Sequence, residues 1–124
     1  MTQSLNTQTA RLAFIGAGNI AASIIGGLVS HGYPAHLITA SDPNAEQLVK
    51  LARDTGINTS TDNLASVAQA DAIILAVKPQ VMEAVTQPLR ERVAANNPLI
   101  ISIAAGITVN NLLNWMGEKL PVIR

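Results

Sequence analysis

Near its start the chain passes from an apolar run into two closely spaced glycines and out again into an amphipathic stretch, Leu12-Ala-Phe-Ile-Gly16-Ala-Gly18-Asn-Ile-Ala21. A buried strand that turns directly into a helix through Gly-x-Gly-x-x-Ala is the pattern that seats a dinucleotide pyrophosphate. Gly16 permits the tight turn, Gly18 lets backbone approach the phosphates with no Cβ in the way, and Ala21, in the third-glycine position, keeps the helix close to the strand. The N–H groups of the first helical turn then face the anion. The motif alone is weak evidence. Its context strengthens it: an apolar strand before, and the stripe Ile20, Ile24, Ile25 and Leu28 after.

Apolar runs of strand length alternate with helical patterns along the rest of the chain, which predicts repeated βαβ units and a parallel sheet. Strands are expected at Arg11–Ile15, His36–Ser41, Ile57–Thr59, Ala72–Val77 and Leu99–Ile103, with a sixth beginning in Pro121–Arg124. Helices are expected at Asn19–His31, Pro43–Thr55 with Gly56 as cap, Asp62–Gln69, Pro79 to about Ala95, and from a Thr108 N-cap to near Lys119. The fold class is α/β, a Rossmann-type doubly wound parallel sheet in the order 3-2-1-4-5-6. Its ligand crevice lies outside the carboxyl ends of strands one and four.

The 124 residues, 48% of them hydrophobic, suit one domain with a real core. Residues 11–124 are read as an NAD(P)-binding domain and residues 1–10, polar and without an apolar centre or basic start, as a frayed tail on a cytoplasmic protein. Net charge is zero and the eight basic residues are scattered, so there is no footprint for nucleic acid or an anionic membrane. Without cysteine, and with His31 and His36 lacking companion ligands, no metal site is expected. Trp115, in an Asn-rich helix with Leu112, Leu113 and Met116, reads as packing or interface rather than chemistry.

Asp42, at the end of strand two, stands where an acidic residue accepts hydrogen bonds from the adenosine ribose of NAD; Asp-Pro is equally a good start for the following helix, so capping is the alternative. Asn44 and Asn63 are neutral donors near the same corner, suited to a 2′-phosphate. Lys78 follows strand four on the cofactor side, either near an anion or as a solvated strand-end lysine. Ser102-Ile-Ala-Ala-Gly106 ends strand five in small residues, allowing a flat ring close to main chain or simply a tight turn. No positioned acid–base residue is visible, and hydride transfer needs none from this domain.

Taken together, Phe14-Ile-Gly-Ala-Gly-Asn-Ile-Ala21, Ile25-Gly-Gly-Leu28, Leu75-Ala-Val-Lys-Pro79 and Ser102-Ile-Ala-Ala-Gly-Ile107 resemble the amino-terminal domain of pyrroline-5-carboxylate reductases. The resemblance implies reduction of 1-pyrroline-5-carboxylate to L-proline, in proline biosynthesis, with NADPH or NADH. It implies cofactor contacts at Ile15, Gly16, Ala17, Gly18, Asn19 and Ile20, at Asn63, at Ala76, Val77, Lys78 and Pro79, and at Ile103, Ala104 and Ala105. Two departures stand out. Members preferring NADP often have serine where this chain has Asp42, and the family continues past the position of Arg124 into a helical domain that forms a homo-oligomer and completes the substrate site. The chain is therefore read as truncated before the helical dimerisation domain, binding cofactor without turnover. The rival readings are a dehydrogenase of the β-hydroxyacid type and a stand-alone dinucleotide-binding module.

Overall fold

The computed structural model describes residues 9–104, 106–117 and 121–123. Six strands, β1 (Leu12–Ile15), β2 (Ile38–Ser41), β3 (Asn58–Ser60), β4 (Ala72–Leu75), β5 (Leu99–Ser102) and β6 (Val122–Ile123), form one sheet in the order β3-β2-β1-β4-β5-β6. Every pairing is parallel. This is the doubly wound order expected from the alternating pattern.

A strand's side chains alternate between faces, and the alternation divides the core in two. Ala13 and Ile15 of β1, with Ile73 and Leu75 of β4, point to one face and pack with Met82, Leu89, Val93, Leu112 and Met116. Those residues come from α4 (Met82–Thr86), the turn after it, α5 (Arg90–Asn96) and α6 (Val109–Met116). Phe14 and Ile74 point to the other face, against Ala21 and Ile25 of α1 (Asn19–Ser30) and Leu48 and Leu51 of α2 (Ala45–Thr55). The near-continuous apolar composition of β1 and β4 is thus the signature of strands covered on both sides. Trp115 is packed against the first of these clusters.

Several boundaries differ from the sequence reading, each for a local reason. The helix expected from Pro79 to Ala95 is broken into a 3-10 turn (Pro79–Val81), α4, a second 3-10 turn (Gln87–Leu89) and α5, because Pro88 has no N–H to continue the helical ladder. Strand β4 ends at Leu75, so Ala76 and Val77 belong to the loop after it. His36 falls in a 3-10 turn (Ala35–Leu37) ahead of β2, and β3 starts one residue late because Ile57 turns into the core. The final helix stops at Met116, where Gly117 takes a φ of 136°; Lys119 lies outside the described residues.

In α1 the core-facing set is Ala21, Ile25 and Leu28, whereas Ile20 and Ile24 of the expected stripe are 65% and 36% exposed. At 100° per residue the two faces cannot both meet the sheet, and the small Ala21 wins the contact. Residues 1–8 of the expected tail lie outside the described residues. At Ala10 the carbonyl accepts a hydrogen bond from Tyr33 Oη at 2.6 Å.

Candidate functional site: the crevice at the switch point

Parallel register brings the carboxyl ends of five strands into one row. Ser60 pairs with Ser41, Ser41 with Ile15, Ile15 with Leu75, and Leu75 with Ser102. The next residue of each strand therefore opens onto the same edge of the sheet. This brings together Gly16, Asp42, Ala76 and Ile103, four of the positions singled out in the sequence, and the loops that follow supply most of the others. Ala17, Gly18, Asn19 and Ile20 lead into α1, Val77, Lys78 and Pro79 leave β4, and Ala104 leaves β5. Asn63 is the first residue of α3 (Asn63–Val67). Ala105 lies outside the described residues.

Between β1 and β4 the chain departs to opposite faces, to α1 on one side and to the Pro79 turn on the other, which leaves a crevice at this point of the sheet. Gly16 makes the close approach possible. Its φ is 103°, and a Cβ there would stand 2.7 Å from the carbonyl oxygen of Ala76. Its N–H donates to Ser41 O at 2.7 Å, and Ala76 N–H donates to Ile15 O at 2.8 Å. The two glycines of the motif are thus required for different reasons. Gly18 has an ordinary φ of −74°, and a Cβ built on it meets nothing within 4 Å. Nothing inside the fold demands a glycine there. What its missing Cβ leaves open is the approach to the N-terminus of α1, a helix with no side-chain cap. Its leading N–H groups have no partner within the helix and are the natural donors for an anion.

Asp42 does not cap α2. The cap is Asn44, whose Oδ1 accepts from Gln47 N–H at 3.2 Å, with the helix beginning at Ala45. The Asp42 carboxylate is turned instead between two loops: Oδ2 accepts from Ala17 N–H at 2.8 Å and Oδ1 from Asn44 N–H at 2.9 Å. Asn63 is fixed from below, its Oδ1 accepting from the hydroxyl of Ser41 at 2.6 Å. Ser41 was not among the sequence candidates, although a serine ending an otherwise apolar strand is a visible signal. It is fully buried and serves both the glycine turn, through its carbonyl, and Asn63, through its hydroxyl. Lys78 and Pro79 are exposed at the start of the 3-10 turn after β4.

A cleft of about 120 Å³ lies beside the glycine turn, between it and the Gln47, Lys50 and Asp54 side of α2. A larger hollow of about 270 Å³ opens at the other ends of the strands, under α3 and around Arg11, Thr39 and Ser66. Volume alone would favour the latter. The former is where the turn chemistry and the helix N-terminus meet, and a dinucleotide laid across an open sheet edge needs no closed cavity in this domain. Among the described residues no three His, Cys, Asp or Glu side chains come together as a metal site, and no helix is long and apolar enough to cross a membrane.

A family model described as NADP oxidoreductase, coenzyme F420-dependent, matches residues 11–106. The chain belongs to this family. Its sequence is 51% identical over 116 residues to the pyrroline-5-carboxylate reductase of Pseudomonas aeruginosa, a match that covers 94% of this chain and 42% of that protein. Among solved structures, the pyrroline-5-carboxylate reductase of Coxiella burnetii superposes with a TM-score of 0.89 at 31% identity, over 92% of this chain and 42% of its own. The Plasmodium falciparum pyrroline carboxylate reductase, solved with NADP bound, shares the fold with a TM-score of 0.79 at 20% identity, over 93% of this chain and 41% of its own. The chain thus spans about two fifths of the length of the reductases it matches, and the oxidoreductase family model ends at the loop after β5, where the site residues also end.

Proposed function

We propose that this chain is the NAD(P)H-binding domain of a pyrroline-5-carboxylate reductase. The observation that carries the reading is Gly18: an N-cap glycine with an ordinary φ and open space where its Cβ would be, at the head of a helix whose leading amides are aimed into a crevice. A dinucleotide pyrophosphate fits that arrangement in charge and in donor chemistry. Support for the particular reductase comes from the relatives, since the 51% identical protein carries that name. When bound, the reduced nicotinamide supplies the hydride that converts the cyclic imine of 1-pyrroline-5-carboxylate to L-proline.

The work of the chain's own residues is binding and placement. The first amides of α1 hold the pyrophosphate, with Ile15, Gly16, Ala17, Asn19 and Ile20 shaping the turn. Asp42 and Asn63 flank the adenosine end. Ala76, Val77, Lys78 and Pro79 border the nicotinamide half from one side, and Ile103 and Ala104 border it from the other with small or apolar side chains. No acid–base group is assigned here. Enclosure of the imine and assembly into a homo-oligomer belong to the remaining three fifths of such a reductase, in the cytoplasm.

The deciding experiment is calorimetric titration of the purified chain with NADH and NADPH, beside Gly18→Val. The parent is expected to bind and the variant to lose binding, because a branched Cβ fills the pyrophosphate's approach. The variant keeps a permitted backbone and its Cβ meets nothing within 4 Å, so it should remain folded. A folded Gly18→Val that binds as tightly as the parent overturns the assignment.

A further inference from the structure

In the usual reading an acidic residue at the end of the second strand is a ribose reader. The contacts of Asp42 say something more. Its two carboxylate oxygens accept from backbone N–H groups of different loops, Ala17 in the glycine turn at 2.8 Å and Asn44 in the β2–α2 turn at 2.9 Å. Its own N–H donates to Ser60 O at 3.4 Å, at the end of β3. Ala17 is only 2% exposed, so with the carboxylate in place its amide is shielded from solvent. The glycine turn consequently divides its donors. Gly16 N–H goes to Ser41 O, Ala17 N–H goes to Asp42, and only the amides from Gly18 onward are left to face a ligand.

We propose that Asp42 is a positioning residue that holds the glycine-rich turn in its anion-binding shape by bridging the Ala17 and Asn44 amides. The consequence for cofactor rests on the reading of this crevice as a dinucleotide site. Loss of the carboxylate weakens NADPH as well as NADH. A pure ribose reader predicts the opposite for NADPH, whose 2′-phosphate replaces the hydroxyl that the carboxylate would accept and is repelled by the charge. Charge-assisted bonds from backbone N–H groups are among the stronger ones in a protein, and leaving the Ala17 amide unpaired in the interior carries its full desolvation cost.

The variant of choice is Asp42→Asn, which keeps the shape but offers one acceptor to two donors, so that one amide must face an NH₂ group. Titrated with NADPH and NADH, the folded variant is expected to bind NADPH at least about fivefold more weakly than the parent, with a loss for NADH at least as large. NADPH affinity that is unchanged or improved overturns the proposal. A second measurement needs neither variant nor ligand. In the free chain, scalar couplings through the hydrogen bonds should link the Ala17 and Asn44 amide nitrogens to the Asp42 carboxylate carbon; if both are absent while the sheet couplings are seen, the bridge is refuted even where Asp42→Asn fails to fold. A parent chain that binds neither cofactor defeats the dinucleotide reading instead, and the two amides still decide whether the bridge exists.

Discussion

The space a Cβ on Gly16 would occupy lies 2.7 Å from the carbonyl oxygen of Ala76, so the turn after β1 meets the loop after β4 backbone to backbone, with Val77 Cγ1 next at 3.1 Å. The glycine is fixed twice over, by its φ of 103° and by that contact, and neither obstacle is the movable end of a side chain. Gly16→Ala is therefore expected to cost at least about 2 kcal/mol, the left-handed backbone and the clash adding to one another. Urea unfolding of parent and variant reads it directly. A cost below about 0.5 kcal/mol, the range of an ordinary surface substitution, would show that the two loops part without effort.

How much of this was legible in the sequence depends on the scale of the interaction. The sheet order followed from apolar strands alternating with helices, because both faces of β1 and β4 must be covered and parallel crossovers admit few arrangements. The glycine turn was legible because its demands are local. The phase of α1 was legible only in part: the motif put Ala21 against the strand, as observed, but Ile20 and Ile24 look like stronger hydrophobic anchors and are turned outward by that same close packing. The break at Pro88 was legible in principle, as proline in a helix interior always removes a donor. The partners of Asp42 were out of reach, since the choice between capping α2 and gripping the Ala17 amide is made by a residue 25 positions away.

Asn44, rather than Asp42, satisfies the first turn of α2 through Oδ1 on Gln47 N–H. Asn44→Ala should therefore lower stability by about 1 kcal/mol, the usual worth of an N-cap. Its backbone N–H, which Asp42 accepts, is retained, so the glycine turn keeps its bridge and cofactor affinity should stay within about twofold of the parent. Denaturation and calorimetry on the same sample separate the two effects. A large loss of affinity with intact stability would mean that the Asn44 side chain itself touches the ligand.

Tyr33 is the only tyrosine in the chain, and its hydroxyl donates to Ala10 O at 2.6 Å. Burial, with the nearby Asp71 carboxylate adding to it, raises its pKa above the ordinary value of 10.0. The folded state then binds the phenolic proton more tightly than the unfolded chain does. Stability from this source is complete below pH 10 and declines as pH rises from there through the folded pKa. Tyr33→Phe should cost about 1 kcal/mol near neutrality, through the lost hydrogen bond, and should flatten the alkaline decline. Unfolding midpoints measured from neutral to strongly alkaline pH give both quantities, and the tyrosinate absorbance of the folded parent reports the titration itself. Equal alkaline slopes for parent and variant would place the sensitivity elsewhere.

Gly18 offers a sharper contrast, because there stability and binding are expected to move in opposite directions. The N-terminus of α1 has no side-chain cap, and Gly18 holds the N-cap position with a backbone that any residue can adopt. Serine is a better N-cap than glycine by a few tenths of a kcal/mol, since its hydroxyl accepts from an amide of the first turn. The Cβ of Gly18→Ser meets nothing within 4 Å, and the variant should raise the unfolding free energy by about that amount. The amide it caps is one of those left for the pyrophosphate, and its Cβ and hydroxyl stand in the approach. Affinity for NADH and NADPH should fall together, by about tenfold or more, which corresponds to about 1.4 kcal/mol. Parallel thermal unfolding and calorimetry decide it. A more stable variant with undiminished affinity for both cofactors would mean that the anion is held somewhere other than the head of α1.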